Sequence, residues 1–176
     1  MTHYDYQEAL KNAAKTMVRI KNPHRLLKMI VRFIVREVSL THASILIYDQ
    51  IKARYIFIDS KGARRIPIHL VKLDDTNPLI RWFLKKEPNL KLKKDFLSTV
   101  ELTSWLADPV LLNGKTSLKT RLVQLGEVME TLKAAVCVPG YYKQELLGVL
   151  ILGGKLNGEA FLPVELAFFQ TLANDA

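Results

Sequence analysis

One cysteine, Cys137, stands in a chain of 176 residues. No internal disulfide can form, and no metal site built from several cysteines exists. Long apolar runs are missing too. None approaches the roughly 18 residues that a membrane-spanning helix needs. The opening Met1-Thr2-His3-Tyr4-Asp5-Tyr6 lacks the basic-then-apolar pattern of a secretory leader. There is no internal repeat and no low-complexity tract. With 49% hydrophobic residues, the chain has material for a sizeable core and does not have the composition of a disordered one. These absences point to one cytoplasmic domain with no membrane span.

Acidic residues are in short supply, and the formal net charge is +9. Arg25, Lys28, Arg32 and Arg36 recur at helical spacing and read as one solvated helix face. Lys85, Lys86, Lys91, Lys93 and Lys94 are interrupted by Pro88 and read as a solvated loop. Neither group carries the interleaved aromatics of a single-strand binder, so there is no clear nucleic-acid signature. The alternative reading is a basic surface docking to nucleic acid, an acidic partner or an anionic membrane.

Glycines concentrate at Gly148, Gly153, Gly154 and Gly158, with Lys155 among them. A phosphate-binding loop needs Lys then Ser or Thr directly after its second glycine. Here Gly154 stands where lysine should be, and Leu156 follows Lys155. The spacer Val149-Leu150-Ile151-Leu152 is wholly apolar and favours a buried strand over an anion nest.

Periodicity gives an order of elements. Tyr6, Leu10, Ala13, Met17 and Ile20 follow a coiled-coil seam over residues 1–22. Asn22-Pro23 stops that helix and caps a second, whose apolar face is Leu27, Ile30, Ile34 and Val38. Ala43 to Asp49 and Arg54 to Asp59 read as a hairpin. Lys61-Gly62 reads as a turn, and Arg65 to Ile68 as a short edge strand. Asp75 to Pro78 starts a short helix that runs to about Glu87. Residues 89–116 mix loop and apolar signals and resist assignment. Leu118, Leu122, Leu125, Met129 and Leu132 mark a clear helix. Ala134 to Pro139 and Leu146 to Leu152 read as strands, linked by 140–145. Pro163 opens a last helix that shows no stop signal, as expected of a piece cut from a longer protein. The fold class is α+β. A central antiparallel sheet of about five to six strands is flanked by the N- and C-terminal helices on one face and by loops and short helices on the other.

Candidate chemistry is sparse. Asp74-Asp75 precedes a helix, where acids suit the helix dipole. Ser104 and Ser117 have no evident triad partners, and His3, His24, His42 and His69 lack metal-ligand spacing and read as surface or boundary residues. Cys137 sits mid-strand and reads as a buried packing thiol.

Several stretches together resemble the GAF domain, the small-molecule sensor module of signalling proteins. The strand Ala135 to Pro139 ends in Val-Pro. Leu146 to Lys155 reads L-x-G-x-L-x-L-G-x-K, and the closing helix passes through Val164-Glu165-Leu166 and Phe169 to Leu172-Ala173. Asn77-Pro78-Leu79-Ile80 also fits, and the likeness covers residues 23–176. It implies a GAF/PAS-like scaffold in which Gly148 permits close strand packing, Gly153-Gly154 ends the strand and Gly158 turns the chain. It implies a non-catalytic regulatory domain, with an output domain such as a histidine kinase or nucleotide cyclase in the same polypeptide. A homodimer through the terminal helices is expected. A ligand would lie between the sheet and the segment from about Leu73 to Leu125, lined by Tyr55, Ile80, Phe83, Phe96, Trp105, Leu122 and Cys137. Its identity is unknown, as is any cofactor. The Asn-Lys…Phe…Asp-Glu pattern of cyclic-nucleotide binders is incomplete, since no Asp-Glu dipeptide occurs. The Asp-Ile-Pro motif of bilin binders is absent. The several cysteines of the free methionine sulfoxide reductase branch are absent too. An enzyme whose groups converge only in three dimensions is the remaining alternative.

Overall fold

The computed structural model describes residues 23–62, 73–84, 96–142 and 145–175, together with Glu8. The expected helix over Tyr6–Ile20, the edge strand at 65–68 and the lysines at 85–94 lie outside the described residues.

Helix α1 (Pro23–Glu37) enters with proline in its first turn and buries Ile30, Val31, Ile34 and, just past its end, Val38. It closes without glycine. Leu40 N–H bonds Val35 O, and Ser39 adopts φ 58°. The hairpin β1 (His42–Asp49) and β2 (Arg54–Gly62) follows. Its turn is set by Asp49 Oδ1, which accepts from Ile51 N at 2.9 Å and Lys52 N at 3.1 Å. The expected turn at Lys61-Gly62 is not there. A register shift between Ile45 and Leu46 lets pairing continue to His42–Gly62, so β2 keeps its strand.

Helix α2 (Pro78–Phe83) is capped by Asn77, whose Oδ1 accepts from Leu79 N at 2.9 Å. It ends at Leu84, before the expected Glu87. The stretch that resisted assignment contains β3 (Leu97–Ser98), α3 (Thr99–Leu106) and α4 (Pro109–Leu112). Ser98 caps α3, its Oγ accepting from Glu101 N and donating to Glu101 Oε1, and Asp108 caps α4. Helix α5 (Thr116–Thr131) buries Leu118, Leu122, Leu125 and Met129. Lys133 takes the left-handed C-terminal position at φ 54° while Ala134 N bonds Met129 O.

Strands β4 (Val136–Tyr142) and β5 (Glu145–Leu152) complete the sheet, and α6 (Pro163–Asp175) ends the described chain. β4 runs past Pro139, which lies beyond the β3 pairing that ends, among the described residues, at Leu97–Cys137. Among the described residues five strands lie in the order β2-β1-β5-β4-β3, all antiparallel. One face packs against α1 and α6; the other packs against α2, α3 and α5. This is the expected α+β arrangement.

Candidate functional site

The sheet face under α2, α3 and α5 is where a ligand is expected. Strand alternation turns Leu46, Tyr55, Cys137, Val149 and Ile151 toward those helices, and the bulge between Gly148 and Leu146 brings Leu146 to the same face. Ile80, Phe83, Leu122 and Cys137 are fully buried in this layer, and Trp105 packs against its rim. Six of the seven residues expected to line a ligand are therefore neighbours in one cluster. Phe96 is not among them. It packs with the α1/α6 layer, because it precedes Leu97 on a strand and alternation sends it to the opposite face.

Two tyrosine hydroxyls in this layer are tied to backbone. Tyr55 reaches across β1, and its hydroxyl donates to Leu146 O at 2.6 Å. Burial, with the neighbouring Tyr48 in second place, pushes its phenol up to about 12. Tyr141 donates to Phe83 O at 2.6 Å and so fastens the end of α2 to β4. The Trp82 and Trp105 rings lie 5.7 Å apart. Burial alone pushes the Cys137 thiol up to about 12, so at neutral pH it is not a thiolate nucleophile.

The other candidate groups resolve as structure. Asp74 Oδ1 accepts from Thr76 N and Oγ1, and its carbonyl accepts from Asn77 N, so it shapes the turn before α2. Ser104 and Ser117 are exposed. His42, expected at the surface or at a boundary, is fully buried on β1. Its Nε2 lies 2.6 Å from Lys133 O and must therefore carry the proton that it donates. Among the described residues, no three His, Cys, Asp or Glu side chains gather where they could hold a metal ion.

The glycine-rich segment is scaffold, as expected. A Cβ on Gly148 would meet Leu46 O at 2.5 Å, and Gly158 adopts φ 75°. Lys155, however, has a use that its sequence context does not reveal. Its Nζ lies 2.6 Å from Glu165 Oε1, with the two side chains 9% and 2% exposed. Phe161 flanks the ammonium at 5.9 Å. An acid in the first turn of a proline-opened helix was the available signal, but its partner lies a loop away.

No family model matches the chain, and no curated protein matches it. Solved structures do. The GAF domain from Acinetobacter phosphoenolpyruvate-protein phosphotransferase is 15% identical, with a TM-score of 0.61 over 99% of this chain and 91% of that one. Residues 122 to 287 of a methyl-accepting chemotaxis protein are 11% identical, with a TM-score of 0.58 over 93% and 91%. Free methionine-R-sulfoxide reductase from Neisseria meningitidis, solved with its substrate, is 10% identical, with a TM-score of 0.58 over 96% and 83%. At these identities the likeness is one of fold, and a fold hosts several functions. The sheet order, the two helical layers and these superpositions agree: the chain has the fold of a GAF domain.

Proposed function

We propose that this chain is a non-catalytic regulatory domain. In this reading it receives a small-molecule or protein signal and passes it through its terminal helices to an output domain in the same polypeptide. The observation that carries the reading is the shared layer of α1 and α6. Phe33 of α1 meets Phe168 of α6 edge-on at 5.8 Å, and both helices pack on one face of the sheet. A change in the sheet would therefore act on α1 and α6 at once. The fold neighbours support the reading, since one is a domain of a phosphotransferase and another a piece of a chemotaxis protein.

The reductase neighbour is the argument for an enzyme. Against it stands the lone cysteine, which is buried in this chain and has its thiol held protonated. The signal would be received in the opposite layer, around Tyr55, Ile80, Phe83, Trp105, Leu122 and Cys137. That layer is packed with apolar side chains, which favours a compact, largely apolar ligand, or a protein contact that shifts α2 and α5. Two protomers would pair through the terminal helices.

Native mass spectrometry of freshly purified protein tests this. A homodimer, bare or with a retained small molecule, is the expected result. Monomer at every concentration would sink the dimeric relay.

A further inference from the structure

We infer that the outward line of α1 is a docking surface for an anionic lipid leaflet. The inference goes beyond the regulatory reading and does not depend on it.

Charge on α1 is almost all of one sign. The helix holds Arg25, Lys28, Arg32 and Arg36 against a single acid, Glu37. At about 100° per residue those four positions fall within an arc of about 80°, over about 16 Å of helix. The buried Ile30, Val31 and Ile34 occupy its far side. Arg32 and Arg36 are exposed. Arg36 meets Glu37 at 2.8 Å, yet its side chain stays 75% exposed, so the pair leaves the guanidinium at the surface. The neighbouring helix adds little to balance them. Of the two acids on α6, Glu165 is buried against Lys155 and Asp175 is the last residue. The exposed Pro163, Ala167 and Thr171 of α6 are uncharged. By contrast α5, on the other face of the sheet, sets Lys119 and Arg121 against Glu127 and Glu130. Among the described helices, the positive excess therefore gathers on the α1 side.

The surroundings of this line choose among polyanions. A helix that reads duplex DNA must protrude into the major groove. Here α1 lies over β1 and β2 with α6 beside it in the same layer, joined by the Phe33–Phe168 contact at 5.8 Å. Phe33 is the one aromatic ring of Phe, Tyr or Trp type on α1, and it faces Phe168, so it is not offered for stacking on a base. A specific acidic protein would want an apolar anchor at the centre of its contact. Between Arg32 and Arg36 the apolar side chains turn inward or are half-buried, and none stands out from the helix. A lipid leaflet asks only for a broad face with excess cations. Without an inserting apolar side chain, docking is electrostatic, reversible and sensitive to salt. A dimer of the kind proposed above has to leave this line uncovered, because pairing it with its own copy sets like charges opposite one another.

Co-sedimentation of the whole chain with phosphatidylcholine vesicles, with and without about 30% phosphatidylglycerol, tests the surface. Binding should require the anionic lipid and weaken about tenfold or more between about 0.05 and 0.5 M salt. The double variant Arg32→Gln, Arg36→Gln should bind roughly thirtyfold more weakly. Lys115→Gln, Lys119→Gln removes the same charge from exposed positions at the α5 side and should lose less than about threefold. Should the arginine double fail to fold, Arg32→Gln alone carries the comparison at about fivefold. Equal loss in the two doubles would make net charge the cause and overturn the surface. No binding at the lowest salt would overturn it as well. So would capture by duplex DNA or polyglutamate with none by the anionic vesicles. Each of these results leaves the dimeric regulatory reading to its own test, which reads assembly and not lipid binding.

Discussion

Lys155 and Glu165 are ten residues apart in sequence and 2.6 Å apart in space, and neither side chain is appreciably wet. Lys155→Met should therefore destabilise the fold strongly, by roughly 3–5 kcal/mol, as removal of one partner from a buried pair does. Glu165→Gln should cost less, about 1–2 kcal/mol, because the amide oxygen still accepts from Leu162 N and faces the ammonium. The two costs should not add, and urea titration of both singles and the double measures the coupling.

Gly148 and Gly154 belong to one glycine-rich segment but face opposite surroundings. A methyl at Gly148 would meet the backbone oxygen of Leu46, while one at Gly154 meets nothing within 4 Å. Gly148→Ala should cost on the order of 3 kcal/mol through overpacking. Gly154→Ala should be within about 0.5 kcal/mol of the parent. Thermal melts of the two variants separate close strand approach from any role in ligand binding.

Tyr55 should titrate well above the ordinary phenol range. Its folded value is raised to about 12 by burial first and by Tyr48 second. The unfolded phenol loses its proton near 10, so the stabilising protonated form is fully favourable below that pH. Stability is then lost as pH rises from about 10 toward 12. Tyrosinate absorbance against pH should show this late phase in the parent, and Tyr55→Phe should abolish it.

Cys137 should be silent toward thiol reagents in the native chain. It is fully buried and its thiol is raised to about 12. Reaction should require global opening, so labelling should accelerate with denaturant in step with unfolding. Prompt stoichiometric labelling in native buffer would show an accessible thiol.

Much of this fold can be read in the chain. The hairpin, the apolar strand around Leu150 and the seam of α5 are visible because each buries a regular face. Helices α3 and α4 escape such a reading because Val100 and Val110 are apolar yet 73% and 85% exposed, so periodicity misplaces their faces. Their capping residues, Ser98 with Glu101 and Asp108 before Pro109, were the legible signal. Two helix ends are also hidden, since Ser39 and Lys133 take left-handed positions where glycine is the usual mark. In the candidate site, Phe96 departs from its expected companions because β3 is only two residues long and one step along it changes face. The Lys155–Glu165 pair needs the loop closed before it exists, and spacing alone carries no trace of its burial.

The proposed function makes one claim above the others, that two copies of this chain assemble. Sedimentation velocity from low to high micromolar concentration tests it most directly. The account predicts a dimer that dissociates on dilution. A monomer across the whole range would contradict it.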